Sequence, residues 1–305
     1  MTADLVVDGF VGATAYYNVQ LGSSFVLCVY IIYIQYGCSY VNTQLTQADP
    51  RFILGKRCAM ENIYDKIDRN KEIIDKIRPF ESEYLNQLRE YYRIGLTWTS
   101  NALEGNTLNE TETKIILEDG ITIGGKPLRD IYEAVGHSAA YDYIFDLIHQ
   151  KTFGLGDVKE VHRLFYRDIE ETKAGKWRSN NIIVTGTDYI FPEPNDIENE
   201  MLAFVEWANN SRDKLHPIDF AAILHLKFVT VHPFVDGNGR VGRLLMNLAL
   251  IQDGHMLALV PPLLRYEYLS SIKKYQQTGV SKQFCILIAE RVYESQKEII
   301  RLLHL

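Results

Sequence analysis

The 305-residue chain holds four cysteines, Cys28, Cys38, Cys58 and Cys285, none in a C-x-x-C pair and none beside partner histidines. That spacing excludes a disulfide framework and a thiolate zinc site, and points to a reducing compartment. Positive charge is not in excess: 32 Lys and Arg stand against 39 Asp and Glu, a net charge of -7. Phosphate neutralisation needs clustered Lys and Arg, so nucleic acid is excluded as the main partner, and only a local basic pocket is left open. No internal repeat and no low-complexity tract occurs, which removes solenoid and disordered classes.

A further absence marks a boundary. Residues 1–48 contain no Lys or Arg, and the segment 25–41, "FVLCVYIIYIQYGCSYV", is apolar and Tyr-rich. A secretory leader needs a basic start, which is missing. A spanning helix needs about 20 apolar residues; the unbroken run Phe25 to Ile34 is about half that length before Gln35 interrupts it. Three readings of residues 1–50 stay open. One is a marginal membrane segment over 25–41, with Arg51, Lys56 and Arg57 placing the rest on the cytoplasmic side. The others are an accessory β-type segment, and a leader outside the functional protein, since "MENIYDKIDRN" at Met60 reads as a natural start.

What is there, from Met60 onward, is helical pattern. Tyr84, Leu85, Leu88, Tyr92, Leu96 and Leu103 recur at three- and four-residue intervals and predict a long amphipathic helix with Gly105 just past its end. Asn109 and Glu112 form a capping box for a short helix to about Glu118. Pro127 suits the first turn of another, with Ile131, Val135, Tyr141, Phe145 and Ile148 as its apolar stripe. Further helices fit 157–170, 195–210, 217–231, 240–253 and 280–304; the last, with Ile288, Val292, Ile299 and Leu303, serves the core or a homodimer surface. The chain thus divides into a leader (1–50), N-terminal helices (60–155) and a core (156–305). One segment breaks the helical rule: "SNNIIVTGTDYIFPEP" (179–194) carries β-branched and aromatic runs around a Gly turn and predicts a β-hairpin. Its residues Ile182, Ile183 and Val184 are candidates for a flap whose free edge pairs with a peptide.

The densest chemistry is "VHPFVDGNGRVGR", residues 231–243. It lies between two predicted helices, so residues 232–239 form a loop feeding a helix N-terminus, which is an anion site by its dipole and unpaired N–H groups. Gly237 and Gly239 let backbone amides approach a phosphate without side-chain obstruction. Arg240 and Arg243 would oppose the helix dipole unless an anion joins them. Asp236 beside that anion calls for a divalent cation between them, and Mg²⁺ is usually held in this way. His232 is the obvious proton acceptor at neutral pH. Phe234, next to Pro233, anchors the loop in the core.

The stretch "HPFVDGNGRVGR" matches without departure the H-x-F-x-[DE]-G-N-G-R-x-x-R motif, and the chain from about residue 60 to 305 thereby resembles the Fic family of AMP-transferring enzymes. The resemblance implies an all-α Fic fold, a helical bundle with a small β-hairpin flap. It implies AMP transfer from ATP to a Ser, Thr or Tyr hydroxyl of a protein target, with diphosphate released. His232 would be the base and Asp236 the Mg²⁺ ligand; Gly237, Asn238, Gly239, Arg240 and Arg243 would hold the phosphates. The kinase-like branch of the family alters the G-N-G-R segment, which is kept here.

A second stretch, "SNALEGN" (100–106), resembles the [ST]-x-x-x-E-[GN] inhibitory motif of self-restrained Fic proteins. Ser100 and Glu104 are four apart on one helical face, and a carboxylate near a helix C-terminus needs a compensating cation. The resemblance identifies that cation as Arg243. The expected protein is therefore an autoinhibited adenylyltransferase of the cytoplasm. The alternatives are removal of AMP from a modified protein, with Glu104 activating water, and a catalytically silent nucleotide-binding or peptide-docking module. Tyr268 and Asn247 are further candidates, as lining of an adenine pocket.

Overall fold

The computed structural model describes residues 62–305, together with the backbone of 18–21 and 25–28. The chain separates into two units, Met1–Cys58 and Ala59–Leu305. In the first, β1 (Asn18–Leu21) pairs antiparallel with β2 (Phe25–Cys28), Asn18 opposite Cys28. The rest of the 25–41 segment lies outside the described residues. Among the described residues no helix is long and apolar enough to cross a membrane.

The second unit is helical. Asn62 caps α1 (Ile63–Asp75), its side chain accepting from the Tyr64 amide. α2 (Ser82–Ala102) ends in a tight turn in which Glu104 and Gly105 donate backbone N–H groups to Asn101 and Ala102, and Gly105 adopts φ +97°. The helix thus stops two residues before the predicted point, and Glu104 stands in the turn, not on the helix. α3 (Glu110–Lys114) carries the predicted capping box, both bonds at 2.8 Å. A π-helical turn, Ile115–Asp119, follows it and closes at Gly120. Then come α4 (Leu128–Asp146), α5 (Leu155–Glu170), α6 (Ile197–Ser211), α7 (Pro217–Val231), α8 (Asn238–Gln252), α9 (Arg265–Thr278) and α10 (Lys282–Leu302).

α7 and α8 form the centre. α7 buries apolar residues on every side, from Ile218 and Phe220 to Phe228 and Val231, and α8 is buried from Val241 to Leu250. A helix apolar all round belongs in a core, and α4, α5, α6 and α10 supply its walls. The predicted stripes are buried only in part. Tyr84 and Leu85 in the first turn of α2 are exposed, as is Val135 on α4; Phe145 and Ile148 are half-buried, while Tyr92, Leu96, Leu103, Ile131 and Tyr141 are covered. Neither α1 nor α9 was singled out from the sequence. In α9 only Tyr268 and Ser271 are buried, too few to register as a stripe.

The hairpin expected over 179–194 is not formed. Residues 181–184 and 187–191 have no regular secondary structure, their exposure alternates from residue to residue, and Gly186 turns at φ +89°. No backbone bond joins the two arms among the described residues. An isolated two-stranded ladder is marginal in water, and here side-chain contacts replace it. Lys273 of α9 donates to the Gly186 carbonyl at 3.2 Å, Thr187 to Gln276 at 3.3 Å, and Phe191 packs inward.

Candidate functional site

Residues 232–237 connect α7 to α8, and each bend in the loop has a cause. His232 leaves α7 in the left-handed region, φ 53° and ψ 58°, with its N–H on the Phe228 carbonyl at 3.0 Å. Asn238 turns its whole amide inward. Its Oδ1 accepts from the Phe234 N–H and its Nδ2 donates to the Phe234 carbonyl, both at 2.9 Å. The side chain thereby staples the loop. Phe234 is fully buried and stacks on His162 with 3.7 Å between ring centroids. His162 in turn accepts the Gly175 N–H at Nδ1, which leaves Nε2–H to donate to the Asp236 carbonyl at 3.2 Å.

Gly237 adopts φ +77°, and a Cβ there would lie 2.6 Å from the Phe165 ring, so no other residue fits without displacing the loop. The first helical bond of α8 runs from the Val241 N–H to the Gly237 carbonyl at 3.0 Å. The amides of Asn238, Gly239 and Arg240 are left to point out of the helix end.

An anion already lies there. A Cβ on Gly239 would come within 2.2 Å of Glu104 Oε1, so the absence of that Cβ is what lets the carboxylate rest on the start of α8. Glu104 accepts from Arg243 Nη2 at 2.7 Å. Arg243, 1% exposed, also donates Nε to Ser100 Oγ at 2.9 Å, Nη2 to the Ser100 carbonyl at 2.8 Å and Nη1 to Tyr268 Oη at 2.8 Å. The Tyr268 hydroxyl meets His225 Nε2 at 2.8 Å. Ser100 and Glu104 thus converge on Arg243. Tyr268 supports that arginine from behind, and Asn247 binds the Ala258 backbone on both sides, at 2.7 and 3.3 Å. Burial alone would raise the Glu104 pKa, but the positive charges of Arg243 and Arg240 hold it below the ordinary carboxylate range.

The second arginine is held by carboxylates. Arg240 pairs with Glu133 at 2.9 Å and Asp236 at 3.1 Å, its guanidinium 4.6 Å above the Phe165 ring. Asp236 Oδ2 also takes Arg129 Nη2 at 2.5 Å, and Oδ1 accepts the Gly237 N–H at 2.6 Å. Against the upward pull of burial, these partners keep Asp236 ionised. Among the described residues no group of three or more His, Cys, Asp or Glu could hold a metal unaided.

The His232 ring is half-buried, with Phe191 from the 179–194 segment edge-on at 4.9 Å. Nδ1 lies 3.2 Å from the Val229 carbonyl, which can only accept. The proton therefore sits on Nδ1, and Nε2 keeps a free lone pair. Burial pushes the pKa down to about 4, so the ring is neutral at pH 7. Arg129, Glu133, His162, Arg178 and Phe191 were missed in the sequence because each reaches the loop from a distant element.

Residues 152–250 match the Fic/DOC family. The chain is 33% identical over 211 residues to the Protein adenylyltransferase Fic of Nematostella vectensis, covering 68% of this chain and 49% of that protein. It is 32% identical over 232 residues to the protein of that name in Drosophila mojavensis, covering 75% and 45%. It therefore spans about half the length of the curated relatives it matches. Of solved structures, Fic-1 from C. elegans superposes with a TM-score of 0.71 at 29% identity, over 79% of this chain and 73% of that one. A Fic domain containing signaling protein from Bacteroides thetaiotaomicron gives 0.69 at 25%, over 76% and 95%. From its helical architecture to its 232–243 loop, the chain belongs to the Fic/DOC family.

Proposed function

We propose that this chain transfers AMP from ATP to a hydroxyl side chain of a protein target, and that Glu104 restrains the transfer. One observation carries the reading: a neutral imidazole with its Nε2 lone pair free stands one loop away from a helix N-terminus that already holds an anion. In the reaction the hydroxyl oxygen attacks the α-phosphorus, its proton passes to His232 Nε2, and the bond to the departing diphosphate breaks. The amides of 238–240 take phosphate oxygens; Arg243, once released, takes the terminal phosphate. Asn238 serves by shaping the loop. Asp236 fits Mg²⁺ as its single protein carboxylate, since that ion usually keeps waters and takes its remaining ligands from phosphates. When bound, the ion neutralises charge on the leaving diphosphate. The names of the relatives support AMP transfer. Incubation with ATP labelled at the α- or the γ-phosphate tests it: protein-bound label is expected from the α-phosphate alone. Label from the γ-phosphate would mean a kinase, and none at all, with Glu104 also replaced, a silent binding module.

The restraint has its own expected result. Glu104→Gly should raise AMP transfer, self-modification included, because it frees both the helix N-terminus and Arg243. Arg243→Ala should lower transfer, and adding it to Glu104→Gly should abolish the activation. The stability lost in Glu104→Gly should be less than the ~3–5 kcal/mol of a fully buried pair, since 35% of the Glu104 side chain meets water. If a folded Glu104→Gly protein transfers AMP no faster, while the parent releases AMP from a pre-modified target, the reverse reaction is the main one.

The target is proposed to dock on the unpaired arm at Ile182, Ile183 and Val184, by main-chain pairing. Ile183 is 98% exposed, between half-buried Ile182 and Val184. Ile183→Pro should impair transfer to protein and leave nucleotide binding intact, as proline removes one donor from the edge. Equal transfer by the variant would make the arm a plain surface excursion.

A further inference from the structure

We infer that Arg178 is a positioning residue for the base: one guanidinium ties both ends of the 179–194 segment to the backbone of His232, so that docking arm and imidazole form a single unit. The inference rests on the AMP-transfer reading above.

Arg178 is 5% exposed and takes carbonyls from three stretches of chain. Its Nε donates to the His232 carbonyl at 2.9 Å, Nη1 to Asn180 at 3.0 Å and Nη2 to Pro192 at 2.5 Å. Its own N–H donates to the Pro233 carbonyl at 2.9 Å. Asn180 and Pro192 are the two ends of the docking segment. With no backbone ladder between its arms, the guanidinium clasps the neck in place of strand pairing. A buried cation is costly unless hydrogen-bonded, and the guanidinium spreads its donors over a wide planar fork that the compact ammonium of a lysine does not match.

The other end of the clasp is a strained residue. A non-glycine residue in the left-handed region is disfavoured and persists only where its surroundings over-determine it. At His232 the N–H is fixed by Phe228, the ring Nδ1 by Val229 and the carbonyl by Arg178. Phe191 adds a link that does not pass through Arg178: it precedes Pro192 and packs edge-on against the imidazole. A peptide held on the 182–184 arm is thereby registered to Nε2 through a closed neck, not a hinge. Misplacement of reacting groups by about 1 Å can cost on the order of 10² in rate.

The test is Arg178→Lys in the Glu104→Gly background, which keeps the charge and loses the fork. Turnover is expected to fall on the order of 10²-fold, with the Kd for ADP within about twofold of the parent. The ¹⁵N shifts of the His232 ring should report one Nδ1–H tautomer in the parent and a mixture in the variant. Amide exchange should quicken at Arg178, His232 and Phe234, whose N–H groups bond to Pro233, Phe228 and Asn238. A role in stability alone would lower the melting temperature and leave tautomer and turnover, measured well below it, as in the parent; that result overturns the inference. If Arg178→Lys does not fold, Phe191→Leu removes the other link without touching the buried cation. It should give the same tautomer mixture and a loss of turnover, and parent values for both would overturn the inference. If the parent transfers no AMP, the AMP-transfer reading fails while the tautomer and exchange measurements still decide the clasp.

Discussion

His232→Ala is expected to lower AMP transfer by about 10² to 10⁴, the range that a positioned general base supplies, while nucleotide binding survives. The ring touches neither the amides of 238–240 nor Arg243, so its removal leaves the anion site standing. What it removes is the free Nε2 lone pair, held in place by the Nδ1–H bond to Val229. Because burial and then the charge of Arg178 push the pKa down to about 4, against the opposing Val229 bond, the ring is unprotonated throughout the neutral range. The comparison belongs in a Glu104→Gly background, where restraint does not mask the loss. Labelling from α-phosphate ATP at the parent rate in that double variant would remove His232 from the mechanism.

Acid is expected to destabilise the fold well before its carboxylates are protonated. Four buried histidines have depressed pKa values, burial being the largest cause at each: His137 and His225 to about 3, His162 and His255 to about 4. The charge of Arg243 adds to the effect at His137 and His225. An unfolded histidine titrates near 6.5. Between that value and the folded one, the unfolded chain takes up protons that the folded chain refuses, so stability is full above about pH 7 and falls as pH drops. At pH 5 each ring contributes a loss of about 2 kcal/mol. Together the four approach the whole stability of a typical domain, ~5–15 kcal/mol. Glu104 and Asp236 act lower, since their folded pKa values lie below those of free carboxylates. Thermal melts at constant ionic strength from pH 7.5 to 5 check this; a flat melting temperature would show that the rings are not held neutral.

The anion site was legible because its parts are contiguous. His232 to Arg243 occupy one loop and one helical turn, so residue type and spacing locate them without knowledge of the fold. The capping box at Asn109 and Glu112 was readable for the same reason. Legibility fails where a group works through a long-range contact. Arg178, Arg129 and Glu133 look like solvated charges in sequence; α4 carries Arg129 and Glu133 to the loop, and the segment after α5 carries Arg178. Asn238 shows a subtler limit: its place in the motif suggests a ligand contact, and its two bonds to Phe234 brace the loop in a way the motif does not disclose. The 179–194 segment misled through composition, since β-branched and aromatic residues specify an extended chain and not the partner it pairs with.

Glu104 against Gly239 is, on the proposed reading, a ligand that cannot diffuse away. Its concentration at the helix N-terminus is set by the short turn 103–105 and not by the cell, and for a short tether such effective concentrations are on the order of millimolar. A free polyphosphate then meets a competitor of fixed strength, so the released fraction rises smoothly with nucleotide level instead of switching at a threshold. Loosening the turn that carries the carboxylate would dilute the competitor and leave every contact at the anion site in place.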